Sequence, residues 1–535
     1  MTATVTRTDR LLVGIERAGN RLPDPFLLFL GLFLLVGLVS TALAWGGVSV
    51  TIPGEDEATV VRGLFTGEGL AWLTVNLVPN FIAFPPLGTV LTILLAVTVA
   101  ERTGMLSAGI RMILGSAPRW ALPYAVGVVG VSASVMADAS MIVVPPLAAM
   151  VFKAAGRHPM AGLIGGFAAA GAGYSTSVFV TSLDALFAGI TNSVTGDLPD
   201  PGATVTPVSN YWFNIAAALV LSLVAGLVID RLVEPRMVRQ EVPIDESPDR
   251  PVTPAESPGL TAAEEHVAPA LTGRHNDVSA RLQPEERRGV WAAVAVTTVL
   301  AAAMAAAAVV PGSPWRNDDG GFLPESPLLD SVVFIVFVLF LVPALVYGFV
   351  ARTLYTGADI PKVMGLGIQD MASFIVLAFM LGQFIALFNW TNVGSALAVS
   401  GAQGLESIGL TGFAAILCFV LLASVLNLFI VSGSSMWTLV GAVFVPMFAL
   451  IGFEPGFVQG AFRIGDSATQ VITPMNPYVF VLLMMVRRYE PEAGLGTVIS
   501  RVLPFVVPFW VAWVLVLAVF YGFDLDMGPG VGIRL

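Results

Sequence analysis

Residues 452–478 read GFEPGFVQGAFRIGDSATQVITPMNPY, and residues 156–191 read GRHPMAGLIGGFAAAGAGYSTSVFVTSLDALFAGIT. Each stretch opens with a GxxP unit, Gly156 to Pro159 and Gly452 to Pro455, and the two units are offset by 296 residues. Each runs through a long apolar block, 160–192 or 457–490, that a short polar run interrupts: GAGYSTS in the first and DSATQVITP in the second. Non-helical backbone at membrane depth is tolerated only where it is buried in protein or lines a cavity. Both blocks are therefore read as discontinuous membrane helices. Upstream of each lies a second echo, VPPL at 144–147 and VPMF at 445–448.

Two further blocks, 121–156 and 409–452, are too long for one helix and carry polar residues in the middle, GVSASVMADAS and NLFIVSGSSMW. They are read as re-entrant hairpins that enter and leave on one side. A membrane-crossing helix needs about 20 apolar residues. Plain spans of that kind fall at about 26–46, 85–104, 210–233, 290–311, 328–351, 370–390 and 500–523. The expected fold is an all-α polytopic membrane protein with nine transmembrane helices plus two re-entrant hairpins. In each half the order is span, span, hairpin, broken helix, span, and the linking span 290–311 turns the second copy over. Such an inverted repeat marks secondary transporters.

The composition agrees. Of 535 residues, 56% are hydrophobic and 12% charged, against roughly 25% charged in an ordinary soluble domain. A soluble enzyme, a disordered scaffold and a secreted disulfide protein are excluded, the last because Cys418 is the single cysteine. The net charge of −11 argues against nucleic-acid binding, which needs a basic face. The three histidines, His158, His266 and His275, join no cluster, so no transition-metal site is expected. The N-terminal stretch has no apolar core before Pro23 and is not read as a cleaved signal peptide.

Threading the chain with the N-terminus in the cytoplasm puts 22 of the 26 Lys and Arg residues inside. Only Arg62, Arg316 and Arg534 fall outside, and Arg463 lies within a broken helix. The positive-inside rule thus favours a cytoplasmic N-terminus and a periplasmic C-terminus. The resulting organisation is a cytosolic lead-in (1–25), a first repeat (26–233), a cytosolic linker (234–289), the linking span (290–311), a second repeat (328–523) and a periplasmic tail (524–535). The linker has 11 acidic residues, 7 basic residues and eight prolines, the composition of a flexible solvated tether.

Charges inside a bilayer persist where they pair, face water or bind something. Four qualify: Asp138, Asp184, Arg463 and Asp466. Arg463 and Asp466 stand three residues apart and can pair locally, or can line a substrate cavity with Thr469, Thr473, Pro474 and Asn476 at the helix break. Asp184 reads either as a cation or proton carrier or as a helix N-cap. Asp138 reads either as a cation ligand or as the cap of the second hairpin arm, and Asp370 reads as the cap of span 370–390. The hairpin tips, Ser132-Ala-Ser134 and Ser432-Gly-Ser434-Ser435, offer hydroxyls and carbonyls to a hard cation such as Na⁺. Their helix N-termini favour an anionic group, and close helix packing is the plainer reading of the same small residues. Asn427, before the second tip, is a further polar candidate. Trp437, just after it, can stack on an aromatic ligand or fill space.

SGSSMW, VPMF and RIGDSATQVITPMNPY in the second half resemble the p-aminobenzoyl-glutamate transporter (AbgT) family, whose pattern runs close to SGSAKW…VPMF…RIGDS…ITPM. RLPDPFLLF, NLVPNFIAFPPLG, AVTVAERTG, GRHPMAGL and LDALFAGIT agree in the first half. The resemblance implies a fold like that of sodium/dicarboxylate transporters and a homodimer in the bacterial inner membrane, with elevator-type motion. It also implies coupling to Na⁺ or H⁺ with no other cofactor. The implied substrates are p-aminobenzoyl-glutamate, related folate-pathway compounds or sulfonamide antimetabolites, with efflux favoured. Carried over by position, the family's important residues fall on Asp184, Ser434, Trp437, Pro455, Arg463, Asp466 and Pro474. Candidate cation ligands are Ser132, Ser134, Asp138, Asn427, Ser432 and Thr473. The chain departs from the family pattern at Met436, where relatives carry lysine, and in the first tip, where relatives carry an SN pair. The alternatives are import of a dicarboxylate or other small organic anion on the same fold, a passive channel, and an intramembrane hydrolase. The last has no HExxH or GxSxG to support it.

Overall fold

The structure is a computed structural model that describes residues 24–51, 58–196, 202–244, 282–323, 326–473 and 476–535. Pro474 and most of the linker, 245–281, lie outside the described residues. The chain is almost wholly helical. Ten helical runs among the described residues are long and apolar enough to cross a membrane.

In the first half, α1 (Pro25–Trp45) starts on Asp24, whose carboxylate accepts the Phe26 N–H at 2.8 Å, with Pro25 in the first helical position. Both residues suit a helix start. Then come α2 (Gly67–Ile82), α3 (Pro85–Arg102) and the short α4 (Met105–Ser116). The first hairpin block resolves into α5 (Leu122–Ser132), a tight 3₁₀ turn (Ala133–Ala139) and α6 (Ser140–Ala154). The first broken helix is α7 (Pro159–Ala172) and α8 (Ser182–Thr195), followed by α9 (Tyr211–Val228), a single π turn (Ile229–Val233) and α10 (Glu234–Arg239).

The second half opens with α11 (Pro284–Val309), α12 (Pro327–Asp330), α13 (Val332–Val350), α14 (Asp359–Asp370), α15 (Ala372–Trp390) and α16 (Val393–Ser407). The second hairpin block gives α17 (Gly412–Leu426) and α18 (Gly433–Leu450). The second broken helix gives α19 (Pro455–Ala468) and α20 (Pro477–Arg487), and α21 (Leu495–Gly522) ends the helical part.

Both hairpin blocks fold back on themselves. Arg119, ahead of α5, donates to the Gly156 carbonyl at 3.0 Å, and Arg157 donates back to the Arg119 carbonyl at 2.9 Å. At the other block, Phe413 and Phe453 both pack on Tyr521, with ring centroids 4.8 and 6.4 Å away. The closing helices of the two halves run in opposite senses. Phe213, at the start of α9, meets Phe520, at the end of α21, at 5.5 Å.

The echoed GxxP units have one local cause. Gly156 and Gly452 have φ of +68° and +89°, left-handed backbone that L side chains rarely adopt. The following prolines open α7 and α19 from the first helical position. The prolines of VPPL and VPMF lie inside the second hairpin arms, α6 and α18.

The innermost elements are α7, α8, α18 and α19, whereas α11 is mostly exposed. Several features depart from the sequence reading. Residues 49–50 and 59–60 form a two-stranded antiparallel ribbon, Ser49 opposite Val60, tied to the end of α15 by Asn392 donating to the Val60 carbonyl at 2.9 Å. The helix α2 is not expected from the sequence, because its Asn and Pro residues interrupt the apolar window. Asp370 ends α14 instead of capping a span, and its carboxylate takes Arg102 at 2.7 Å on the surface. At the exposed start of α14, the backbone N–H groups of Thr356 and Tyr355 and the Thr356 hydroxyl hold the Asp359 carboxyl down to about 2.

Candidate functional site

Four irregular segments converge in the interior: the first tip, the break between α7 and α8, the second tip and the break between α19 and α20. At the first tip the Ser134 hydroxyl donates to the Thr176 carbonyl at 2.8 Å, and Ser177 donates to the Ser132 carbonyl at 3.4 Å. The two breaks meet where Ser175 and Ser467 hydroxyls lie 2.5 Å apart, with the Ser175 hydroxyl also 3.2 Å from the Arg463 carbonyl.

Asp184 is buried and does two jobs. Its Oδ2 accepts the Thr181 N–H at 2.7 Å and the Thr181 hydroxyl at 2.8 Å, one half of a capping box that starts α8. Its Oδ1 takes Arg463 Nη1 at 2.7 Å and Asn214 Nδ2 at 3.1 Å. The side chains of Arg463 and Asp184 are 1% and 3% exposed, so this is a dry ion pair. The expected local pair of Arg463 with Asp466 is not formed. Arg463 shares a face of α19 with Gln459, one turn earlier, and both reach Asn210: Nε of Arg463 at 3.2 Å and Nε2 of Gln459 at 2.8 Å. Nη1 also donates to the Ser175 carbonyl at 2.7 Å, and the guanidinium sits 5.2 Å from the centre of the Phe187 ring.

Trp437 belongs to the same lattice. Its indole N–H points at the Thr191 hydroxyl (3.1 Å) and the Phe187 carbonyl (3.3 Å), and Thr191 donates to Gln459 Oε1 at 2.6 Å. The ring is fully buried, 4.5 Å from Phe462. It fills space between α8 and α19 in this conformation, leaving no face free for a ligand. Pro455 is buried at the first position of α19.

Asp466 is different. It is fully buried; the Ser175 hydroxyl is near its carboxylate, but neither oxygen receives a hydrogen bond of ordinary geometry among the described residues. It faces the start of α18: a Cβ on Gly433 would stand 3.0 and 3.1 Å from the two oxygens and 3.3 Å from the Tyr174 ring. Ser432 caps that helix, accepting the Ser435 N–H at 3.3 Å, and its hydroxyl lies 3.0 Å from that of Ser434. Behind Asp466, Asn427 Nδ2 donates to the Asp466 carbonyl at 2.6 Å and to Thr469 Oγ1 at 3.1 Å. Thr473 donates to the Asn427 carbonyl at 3.1 Å and to the Thr469 carbonyl at 2.9 Å. Asn427 Oδ1 and Gln470 Oε1 are also buried without a hydrogen-bond partner. Buried oxygens without a well-formed hydrogen bond are costly, and this group has the chemistry of a hard-cation or proton site.

Asp138 does not cap the second hairpin arm: α6 has no side-chain cap. It stands exposed, with the Tyr478 hydroxyl facing its carboxylate. Sequence reasoning missed Tyr174, Tyr478, Ser175, Thr191, Asn210, Asn214 and Gln459. The one available signal was amide and hydroxyl side chains inside apolar spans, which have to find partners there.

The sequence profile of the AbgT putative transporter family matches residues 10–270 and 269–535, nearly the entire chain. The chain belongs to the AbgT family. Its AbgT relatives include the p-aminobenzoyl-glutamate transport protein of Escherichia coli (strain K12), 34% identical over 531 residues, covering 99% of this chain and 98% of the relative. Among solved structures, the Alcanivorax borkumensis YdaH transporter, described as having an unusual topology, superposes with a TM-score of 0.83 at 33% identity, covering 95% of this chain and all of that one. Neisseria gonorrhoeae MtrF, described as illuminating a class of antimetabolite efflux pumps, superposes with a TM-score of 0.84 at 34% identity, covering 98% and 99%. This AbgT protein is a multi-pass membrane transporter and not an enzyme.

Proposed function

We propose that this transporter moves p-aminobenzoyl compounds of the folate pathway, or the sulfonamide antimetabolites that mimic them, out across the bacterial inner membrane, driven by Na⁺ or H⁺. The observation that carries the reading is Asp466, fully buried beside the Ser432–Ser435 tip with no ion pair and no hydrogen bond of ordinary geometry to its carboxylate among the described residues. A cation or proton arriving there neutralises a charge that is otherwise costly to bury. Ion arrival therefore biases the equilibrium between conformations, which is how a coupling ion does work. The adjacent start of α18, with Ser434 on its first turn, favours an anionic substrate group. The names of the Escherichia coli and Neisseria relatives support the substrate class.

The back-folded blocks α5–α6 and α17–α18 are read as re-entrant hairpins on opposite sides of the membrane, within a nine-crossing fold. The N-terminus is placed in the cytoplasm, the C-terminus in the periplasm, and the transporter works as a homodimer by elevator motion. Arg463, held by Asp184 and Asn210, and Trp437, packed against Phe462, are assigned to keeping the moving helices together.

The test is flux of labelled p-aminobenzoyl-glutamate and a sulfonamide in proteoliposomes under imposed Na⁺ or proton gradients. Flux is expected to follow one gradient and to be lost in Asp466→Asn. Equal flux with neither gradient, or wild-type flux in the variant, overturns the reading.

A further inference from the structure

Asn210 stands at the N-cap of α9, the position from which an asparagine side chain ordinarily accepts the N–H of the third helical residue. Here it makes no such bond. The third residue is Phe213, and its N–H goes instead to the Met527 carbonyl at 3.0 Å. Met527 belongs to residues 524–535, which follow α21 and fold back between the start of α9 and the start of α19. Its side chain is fully buried, with the terminal methyl only 2.3 Å from where a Cβ on Gly460 would stand. Val531 fills the space beside Gly456 in the same way, one turn earlier on α19. Gly528 is pressed against α9, where a Cβ would come within 2.2 Å of the Val208 carbonyl oxygen. Further on, the Ile533 carbonyl accepts the Glu454 N–H at 3.0 Å, and the Leu535 N–H donates to the Gly452 carbonyl at 3.2 Å. The corner of the first repeat is also held by chain that follows its own closing helix. There Glu234 Oε1 accepts the N–H of His158, the equivalent of Glu454 by the 296-residue offset, at 3.1 Å.

Release from capping leaves the Asn210 amide free for α19. Its Nδ2 donates to the Gly456 carbonyl at 2.7 Å, and its Oδ1 accepts Gln459 Nε2 at 2.8 Å and Arg463 Nε at 3.2 Å. Those two donors fill the two lone pairs of an amide oxygen, so Oδ1 cannot also cap α9. We propose that Met527 is a positioning residue: its carbonyl caps α9 in place of Asn210 and thereby keeps Asn210 on Gln459 and Arg463. The proposal rests on the assignment of Arg463 to holding the moving helices together. It acts through the seat of Arg463 and touches no ligand, so it bears on the rate of transport and not on substrate affinity.

Gly528→Ala unseats the Met527 carbonyl, because the added methyl meets the backbone of Val208 and Ser209. Amide hydrogen exchange at Phe213 in the full-length protein reads the consequence without any substrate. Exchange is expected to stay slow in Gly528→Ala, where Asn210 turns back to cap, and in Asn210→Ala, where Met527 still caps. Only the double variant is expected to lose protection. Fast exchange in Gly528→Ala alone, or slow exchange in the double variant, overturns the exchange of caps. In proteoliposomes Gly528→Ala is expected to lower the maximal flux of p-aminobenzoyl-glutamate about tenfold, the effect of one hydrogen bond to a charged group, with the half-saturating concentration unchanged. An unchanged maximal flux overturns the positioning role. Absence of flux in wild type overturns the substrate reading instead and leaves the exchange result to decide this one. A Gly456→Cys/Val531→Cys pair in a Cys418→Ser background covers the case in which Gly528→Ala does not fold. The two Cβ atoms would stand 3.7 Å apart, within disulfide reach. The oxidised protein is expected to keep wild-type flux, and a loss on oxidation that a reductant reverses overturns the fixed seat.

Discussion

Arg463 lies at the centre of a polar lattice that contains no solvent-exposed member. Removing its side chain strands Asp184 as a buried, unpaired charge, and breaking such a pair costs about 3–5 kcal/mol. Arg463→Ala is therefore expected to lower the unfolding temperature in detergent sharply, so that lost flux in this variant reports lost structure. The double variant Asp184→Asn/Arg463→Gln removes both charges together. It is expected to recover most of the stability, and a double-mutant cycle measures the coupling. If Arg463→Ala unfolds at the wild-type temperature, the ion pair is not what holds α8 against α19. Asp466 stands one turn further along the same helix with the opposite circumstance, a charge already lacking a hydrogen-bond partner. Its environment is set by what faces it. The Gly433→Ala methyl would come within 3.0 Å of the carboxylate, and crowding by a few tenths of an ångström is tolerable for folding but not for a ligand in the same space. Gly433→Ala is expected to raise the ion concentration needed for half-maximal flux by about tenfold, with a small change in thermal stability, since a shift of about 1.4 kcal/mol in ion binding is a tenfold change.

At the scale of elements, the corners that join the hairpins to the broken helices are the most repetitive part of the chain. Gly156 and Gly452 have open space around them and are needed for their backbone angle alone. Gly452→Ala is expected to cost about 1 kcal/mol or more, read as a lower unfolding temperature, whereas Gly494→Ala, a glycine with open space and negative φ, should change little. These corners were legible in the sequence because a left-handed glycine and an N-terminal proline are local requirements with a fixed spacing. The interruptions at 173–181 and 469–476 were legible for a similar reason, since a polar run within an apolar block breaks the helix or turns inward to find partners. What the spacing did not reveal was partner choice. Arg463 and Asp466 are near in sequence, yet Arg463 bonds Asp184 across 279 positions, because Asp184 is held in place by Thr181. Trp437 reads in the sequence equally well as a stacking platform, and only the packing of Phe187 and Phe462 shows that its faces are taken. The helix α2 and the short ribbon of residues 49–50 and 59–60 escaped because each is too short or too interrupted to leave a periodic trace.

At the scale of the whole molecule, Arg119 touching Gly156 and Phe413 sharing Tyr521 with Phe453 make a topological prediction. In a Cys418→Ser background, cysteines at Ser116 and Ala154, both exposed, are expected to react with a membrane-impermeant maleimide only from the cytoplasmic side. Cysteines at Ser407 and Leu535 are expected to react only from the opposite side. Labelling of Ser116 and Ala154 from different sides removes the first re-entrant hairpin, and labelling of all four from one side removes the inversion. The lattice linking Asn210, Asn214, Asp184, Gln459 and Arg463 ties helices from both halves together.

The two halves share corners but not tips. The first tip carries strained Ala137 and leaves Asp138 wet, while the second ends in an ordinary serine cap and leaves Asp466 dry. A chain made of two inverted copies has, for each shape it adopts, a counterpart in which the copies trade shapes. By the 296-residue offset the counterpart of Asp138 is Ser434 and that of Asp466 is Ala170, so neither carboxylate has a match in the other copy. Each carboxylate is thus private to one copy, so any two shapes the copies trade are chemically unequal.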